Sequence, residues 1–539
     1  MMTDPLCVLA FDIGTTSAKT CLFALGSTIK LLGSASQKYP LRILPSGGAE
    51  QDPDDWWNAM KVTTRDVLTR TGVPSESVGA LSFCCQMQGL VLVDADGRAL
   101  RPAMSYMDQR AVAQWRRGIA SGLRVAGLNA RRLLLSLLVT GGASASVKDP
   151  VWKYAWVREN EPELFRRIHT WLDVKEYLLL RCTGNALMTE DSANVTFLYD
   201  TRPGRRGWSR SLLRSFAVER DHMPPVVPST AAVGALTRLA AQQLGLREGT
   251  SVIGGGGDVT MMAIGCGCVA PGDTHVYEGT SGWVSRVVQR RIVDLDHFIG
   301  SVLAARPGCY NYIGEQETSG KCLEWVRDHL ALDEIGVYRE GRQAHDRPES
   351  GYATLLEYLD HVIQETEAGS GGTIFTPWLH GNRSPFEDPN ARGMFFNIGL
   401  ETGKRNLIRS VVEGIAYHKR WILECMEQKT SRVEKLRFAG GGAISDSTSQ
   451  ILADVTGKRV EAVESPQNAG AAGAALVCGI ALGRIPGFEA AAALVSVRKT
   501  FEPDARRAGV YARGFRVFKR LYRSNRESFA LLNAPGTTK

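Results

Sequence analysis

"CVLAFDIGTTSAKTCLFAL", residues 7–25, decides the fold. An apolar run rich in strand formers ends on Asp12. A short turn of Gly14, Thr15, Thr16 and Ser17 follows, and a second strand-like run begins at Ala18. Such a pattern predicts a β-hairpin. "THVYEGTSGWVSRVV", residues 274–288, repeats it about half a chain later: a strand closing on Glu278, a Gly279–Thr280–Ser281 turn, and a second strand. Two copies do not make a repeat array. They predict a duplicated architecture, with two similar α/β halves facing each other across a central cleft.

The turns carry chemistry. Neither is a Walker loop or a G-x-G-x-x-G fingerprint. Backbone N–H groups and the hydroxyls of Thr15, Thr16 and Ser17 suit phosphate oxygens, and Lys19 adds a positive charge. Phosphate would repel Asp12 unless a cation stood between them. That points to hydrated Mg²⁺, which takes one or two carboxylates, waters and phosphates. Either turn alone is explained as an ordinary hairpin; as a pair they could grip one polyphosphate from both sides.

"VIGGGGDVTMMAIGCG", residues 252–267, brings four glycines up to one acid, Asp258. Glycine lets backbone or ligand come close. The stretch predicts a strand over 250–253, a tight turn and a small-residue helix from Met261. The division between halves is expected just after Asp258, giving a first domain of 1–258 and a second of 259–539. "FAGGGAISDSTSQILADVTG", residues 438–457, reads as a strand, a glycine loop and a helix N-terminus, a place where anions bind.

Elsewhere, residues 150–184 are mostly helical by period, with Gly184 as a stop. Residues 70–100 read as turn, strand, turn, strand, with Asp96-Gly97 as a hairpin signal. Residues 404–428 read as one long helix with Leu407, Val411 and Ile415 on a face. Near the end, Tyr511, Phe515, Phe518 and Tyr522 recur at helical spacing under a solvated basic face. Residues 340–372 and those beyond 530 carry little signal.

At 539 residues the chain exceeds one compact core. A 44% hydrophobic and 22% charged content is that of a globular protein. The net charge of +8 is scattered and does not point to nucleic acid. No N-terminal signal is visible, and the strongest apolar run, "LLLSLLV" at 133–139, is too short to span a bilayer. Eleven cysteines and nine histidines without a C-x-x-C pair argue against zinc and for reduced thiols in a cytoplasm.

Taken together, the sequence resembles the FGGY family of carbohydrate kinases, on the actin-like ATPase (ribonuclease H-like) fold. The matching stretches run in order from Cys7 to about residue 485: "DIGTTSAKT", "CCQMQG", "RPAMSYMDQR", "DPVWKYAWVRENEP", "WLDVKEYLLLRCTG", "GGGGD", "EGTSGW", "FEDPNARGMFFNIGL", "LIRSVVEGIAY", "FAGGGAISDSTSQILADVTG" and "AGAAGAAL". "QMQG" and "MDQR" most resemble the xylulokinase branch. The resemblance implies ATP and Mg²⁺, a small sugar substrate, a homodimer, and no nucleic-acid or membrane partner.

It also implies roles. Asp258 is the general base, with Asp12 and Asp258 at the metal. Gly14, Thr15, Thr16, Ser17 and Lys19, with Gly279, Thr280 and Ser281, hold the phosphates. Gly440, Gly441, Gly442 and Ala443 line the nucleotide. Gln86, Met87, Gln88, Asp108, Arg110, Asp258 and Val259 surround the sugar. Asp108 and Arg110 sit two apart, so an extended segment would point both to one side; a surface ion pair is the rival reading. Xylulokinases usually carry Met-His-Gly where this chain has Met87-Gln88-Gly89, and Asn where it has Val259. Glycerol, erythritol, ribulose or a branched ketose are therefore alternatives to D-xylulose. A catalytically silent nucleotide-binding relative is the rival class, disfavoured because Asp12 and Asp258 are both present.

Overall fold

The computed structural model describes residues 5–125, 127–331 and 355–534. The deciding hairpin forms as read. Leu6–Ile13 and Ser17–Leu25 pair antiparallel, and Ile29–Lys38 joins their outer edge. On the other side Leu6–Ile13 runs parallel to Val78–Cys85, which is followed by Ser251–Ile253 and the antiparallel edge Ala232–Ala235. The second hairpin, Thr274–Glu278 with Gly282–Val288, founds a second sheet of the same plan. Tyr310–Gln316 lies outside it; on the other side Lys435–Gly440 and Arg459–Val463 run parallel, and Val497–Phe501 closes the edge antiparallel. Strand for strand, a hairpin, an outer antiparallel strand and two parallel strands recur. This is a mixed α/β protein of two actin-like domains.

All strands of the first sheet precede Asp258, and all of the second follow it. The helices cross that line. Ala469–Ala481 packs on the first sheet, where Ala471, Ala474, Ala475 and Val477 share a buried cluster with Val8, Ala10, Phe23, Cys84 and Ile253. The same cluster takes Met261 and Ile264 from the helix Asp258–Gly265. The two helices cross with backbones in contact. A Cβ on Gly265 would stand 1.7 Å from the Ala469 carbonyl oxygen, and one on Gly473 would stand 1.9 Å from that of Met261. Gly473→Ala should therefore force the helices apart and cost about 1–3 kcal/mol as an overpacked interior does. A thermal melt indistinguishable from wild type would show that this crossing yields freely.

The stretch 150–184 is mostly helical as read, in three pieces, Pro150–Asn160, Pro162–Phe165 and Val174–Thr183, with the strand Thr170–Leu172, paired with Val91–Val93, between the last two. Thr170 and Trp171 fit a pleated surface better than a helix. One expectation needs correction. The helix after the four glycines begins at Asp258, not Met261. Gly257 takes the N-cap in extended conformation, and an acid in the first turn is favoured by the helix dipole.

Several further element readings hold. Gly184 and Gly457 close their helices in the left-handed region. Asp94 to Arg98 forms a tight hairpin through Asp96-Gly97. Lys404–Lys429 is one helix, burying Val411 and Ile415 with Leu407 half-buried. Ala508–Asn533 is a helix that buries Tyr511, Phe515, Phe518 and Tyr522. Residues 355–364 of the weakly patterned stretch form a helix, and 340–354 lie outside the described residues. The apolar run at 133–139 lies within the helix Ala130–Thr140. Among the described residues no helix is long and apolar enough to cross a membrane, and every cysteine is free.

Candidate active site

Parallel strands bring the motifs to one edge. Asp12 lies opposite Cys84, and Gly256 lies opposite Cys84 on the other side. At strand spacings of about 4.8 Å, the backbones of Asp12 and Gly256 are roughly 10 Å apart, and Asp258 follows two residues later. The strand between them runs out into Gln86–Gly89. The first glycine-hydroxyl turn, the "QMQG" loop and Asp258 thus emerge side by side at the carboxyl ends of parallel strands, where open α/β sheets hold ligands.

The first turn is held from its carbonyl side. Tyr39 Oη donates to the carbonyls of Gly14 and Ser17, and Gln51 Nε2 donates to that of Thr15 at 2.8 Å. Thr16 is exposed, and Thr15 and Ser17 are half-buried. Lys19 does not stand free: its Nζ donates to the Gln467 carbonyl at 2.8 Å, tying the two halves together.

Two acids at this edge lack an ion-pair partner among the described residues. Burial pushes the Asp12 carboxyl upward, opposed by Lys19 and a hydrogen bond from Cys84. Burial pushes Asp258 up to about 7. The Val259 N–H, 2.8 Å from Asp258 Oδ1, works against that rise, and Glu315, Asp12 and Asp191 add to it. Asp258 Oδ2 has no hydrogen bond among the described residues. Among those residues no group of three or more His, Cys, Asp or Glu forms a metal cage. Two acids without a cation, beside a hydroxyl-rich turn, instead fit a hydrated hard cation such as Mg²⁺.

The four glycines make room chiefly for the protein itself. A Cβ on Gly255 would stand 2.3 Å from the Phe83 carbonyl oxygen, on Gly256 2.7 Å from Asp191 Oδ2, and on Gly257 2.0 Å from Met87 Sδ. Asp191, buried, also accepts the Gly257 N–H at 2.7 Å. The helix that begins at Asp258 is thereby fixed by an acid 67 positions earlier in the chain, a role that nothing in its surroundings "TEDSAN" announces.

Gln86 is buried and donates to Gln51 Oε1 at 2.9 Å, linking this loop through Gln51 to the first turn. Gln88 has a positive φ of 63°, a conformation uncommon for a residue with a side chain. Met87 packs on Gly257. Asp108 and Arg110 form an ion pair of 2.7 Å that is buried, not on the surface. Their segment turns rather than extends, since the Arg110 N–H folds back to Asp108 at 3.1 Å. Asp108 also accepts the Ala49 N–H, and Arg110 reaches Glu50 and lies over the Trp156 ring. Val259 is 8% exposed and packs in an apolar cluster with Met262, Trp283 and Ile313.

The second turn is built differently. Glu278 mirrors Asp12 in sequence, but it is buried in an ion pair with Lys419 of the long helix. Lys419 also donates to Ser319 Oγ at 3.1 Å. The carbonyls of Gly279 and Thr280 accept N–H groups of Ser319, Gly320 and Lys321. Gly440 and Gly442 lie against Glu278, where a Cβ on Gly442 would stand 2.5 Å from its carboxyl carbon. Gly441 is exposed beside them, and Ala443 is buried. One acid of the duplicated pair has no ion-pair partner among the described residues; the other braces the turn and the glycine loop.

Residues 7–265 match the N-terminal domain, and residues 277–482 the C-terminal domain, of the FGGY family of carbohydrate kinases. The chain belongs to that family, and it is a sugar kinase. It is similar to the xylulose kinase of Staphylococcus epidermidis, 28% identical over 96% of this chain and 97% of the relative. It is also similar to the gluconokinase of Bacillus subtilis, 25% identical over 90% of each. The crystal structure of ligand-bound xylulose kinase from Lactobacillus acidophilus shares the fold, with a TM-score of 0.83 at 22% identity, over 98% of this chain and all of that one.

Proposed function

We propose that the protein transfers the γ-phosphoryl group of ATP to a hydroxyl of a small neutral ketose of the pentulose type. Asp258 carries the reading: a carboxylate whose Oδ2 has no hydrogen bond among the described residues, at the edge where the first turn and the "QMQG" loop meet. Asp258 takes the proton of the sugar hydroxyl as that oxygen bonds to the γ-phosphorus. The bond from phosphorus to the β,γ-bridging oxygen breaks, and ADP leaves. Such transfer depends on positioning and charge neutralisation, with the base orienting the nucleophile. Gly14, Thr15, Thr16 and Ser17 on one side and Gly279, Thr280 and Ser281 on the other would hold the phosphates, with Lys19 braced behind them. Gly440 to Ala443 would line the nucleotide. Bound Mg²⁺, held through water by Asp12 with Asp258 alongside, would neutralise phosphate charge. Closure of the domains over the substrates keeps out water. The protein would act in the cytoplasm as a homodimer.

Glu315, which is paired with Arg383, and Asp12 and Asp191 all act electrostatically on Asp258, so a substrate carboxylate placed beside Asp258 would meet like charge. This favours a neutral ketose over an aldonate such as gluconate. Val259 offers no hydrogen bond where the xylulokinase branch presents an amide, so D-xylulose is not expected to be the best substrate. Comparing kcat/KM across pentuloses, hexuloses, glycerol, erythritol and gluconate tests this. A wild-type preference for D-xylulose over every other compound would overturn the reading of Val259, and a preference for gluconate that of the acids. Asp12→Ala should weaken Mg²⁺ dependence and turnover with sugar KM little changed; an unaltered Mg²⁺ titration would contradict its role.

A further inference from the structure

The "DPVWKYAW" motif has no part in the reaction as described, yet it places a lysine where one is costly. Lys153 lies on the helix Pro150–Asn160, is fully buried, and has no ion-pair partner within 4 Å among the described residues. Its Nζ donates to two carbonyls, that of Gln88 at 2.6 Å and that of Ser105 at 2.8 Å. The first belongs to "QMQG" and the second to the segment leading into Asp108 and Arg110. One ammonium thus joins two strips of chain that the resemblance places around the sugar.

Gln88 is gripped from its other end as well. Its N–H donates to Asp173 Oδ2 at 2.8 Å, and the Gly89 N–H donates to Asp173 Oδ1 at 2.8 Å. Asp173 is buried and caps the helix Val174–Thr183. Two buried charges of opposite sign therefore hold both backbone groups of one residue in the left-handed region. Strain of this kind persists only where surroundings over-determine it, and it concentrates at functional sites. The side-chain amide of Gln88, half-buried, has no hydrogen bond among the described residues. The backbone is fixed at every point, and the one polar group left over is the amide.

We propose that Lys153 and Asp173 are positioning residues that hold Gln88 in its left-handed conformation, so that its amide is presented to a hydroxyl of the sugar. This rests on the sugar-kinase reading given above. Lys153 touches neither sugar nor nucleotide; it acts through Gln88 and the Ser105 segment. Burial pulls the Lys153 ammonium down to about 8, and Asp108, Asp173 and Asp149 work against that fall.

The test is a double-mutant cycle on the best substrate of the panel. Gln88→Ala is expected to raise the sugar KM about tenfold, as losing one hydrogen bond does. Lys153→Met should raise it by a similar factor, with the KM for ATP within about twofold and the two changes combined no worse than the larger alone. Additive effects, or equal loss of affinity for sugar and ATP, would show a general structural role and overturn the proposal. If Lys153→Met does not fold, Asp173→Asn, which keeps the side chain's shape, stands in with the same expectations and the same contrary outcomes. If Gln88→Ala leaves the sugar KM unchanged while ADP release stays sugar-dependent, Gln88 is no contact and the proposal fails alone. If no sugar on the panel elicits ADP release, the kinase reading beneath it fails too.

Discussion

Asp258→Asn is expected to fold as wild type does, to bind ATP, and to lose about 10²–10⁴-fold in turnover, the usual contribution of a general base. The amide keeps the shape and can still accept the Val259 N–H, so packing at the helix start is undisturbed. What it lacks is a place for the proton. The pH profile gives a second readout. Burial raises the Asp258 carboxyl from its ordinary range to about 7, and the base works only when ionised. Wild-type kcat/KM should therefore be full above that pH and fall as the pH drops through it. The residual rate of Asp258→Asn should lack that acid limb. Wild-type turnover in the variant, or an unchanged limb, would remove Asp258 from the role.

The second large effect falls on stability. Lys419→Met leaves the Glu278 carboxylate buried beneath the glycine loop without its cation. Breaking one side of a buried pair costs about 3–5 kcal/mol, because an uncompensated charge remains. Glu278→Gln with Lys419→Met together should recover most of that loss, since the charge is then removed as well. Chemical denaturation of wild type and the two variants decides it. A single variant within about 1 kcal/mol of wild type would mean the pair behaves like an exposed one.

Much of the frame was legible because local pattern and global role agree. The hairpins at 7–25 and 274–288 announce themselves through strand formers around glycine and hydroxyl residues, and their echo predicts two like sheets. The glycine stretch at 254–257 located an acid at a strand end. What was not legible depends on contacts between distant parts of the chain. Asp12 and Glu278 look alike in sequence, and it is Lys419, 141 positions on, that makes Glu278 a brace, while Asp12 has no ion-pair partner among the described residues. The glycines before Asp258 read as room for a ligand, but Phe83, Asp191 and Met87 occupy most of that room. Asp108 and Arg110 read as neighbours on an extended segment, and a local turn closes them on each other. Lys153 sits in an apolar, aromatic run where its charge gave no periodic signal, since both of its partners are backbone carbonyls.

The central claim is that a phosphoryl group passes from ATP to a sugar hydroxyl on this protein. Following the ³¹P NMR spectrum of a mixture of enzyme, Mg²⁺, ATP and the best ketose of the panel tests it most directly. The γ-phosphate signal is expected to decline as a sugar phosphomonoester signal grows in equal amount, with ADP and no comparable inorganic phosphate, and neither change is expected with Asp258→Asn. Growth of inorganic phosphate alone, at the same rate with and without sugar, would contradict it.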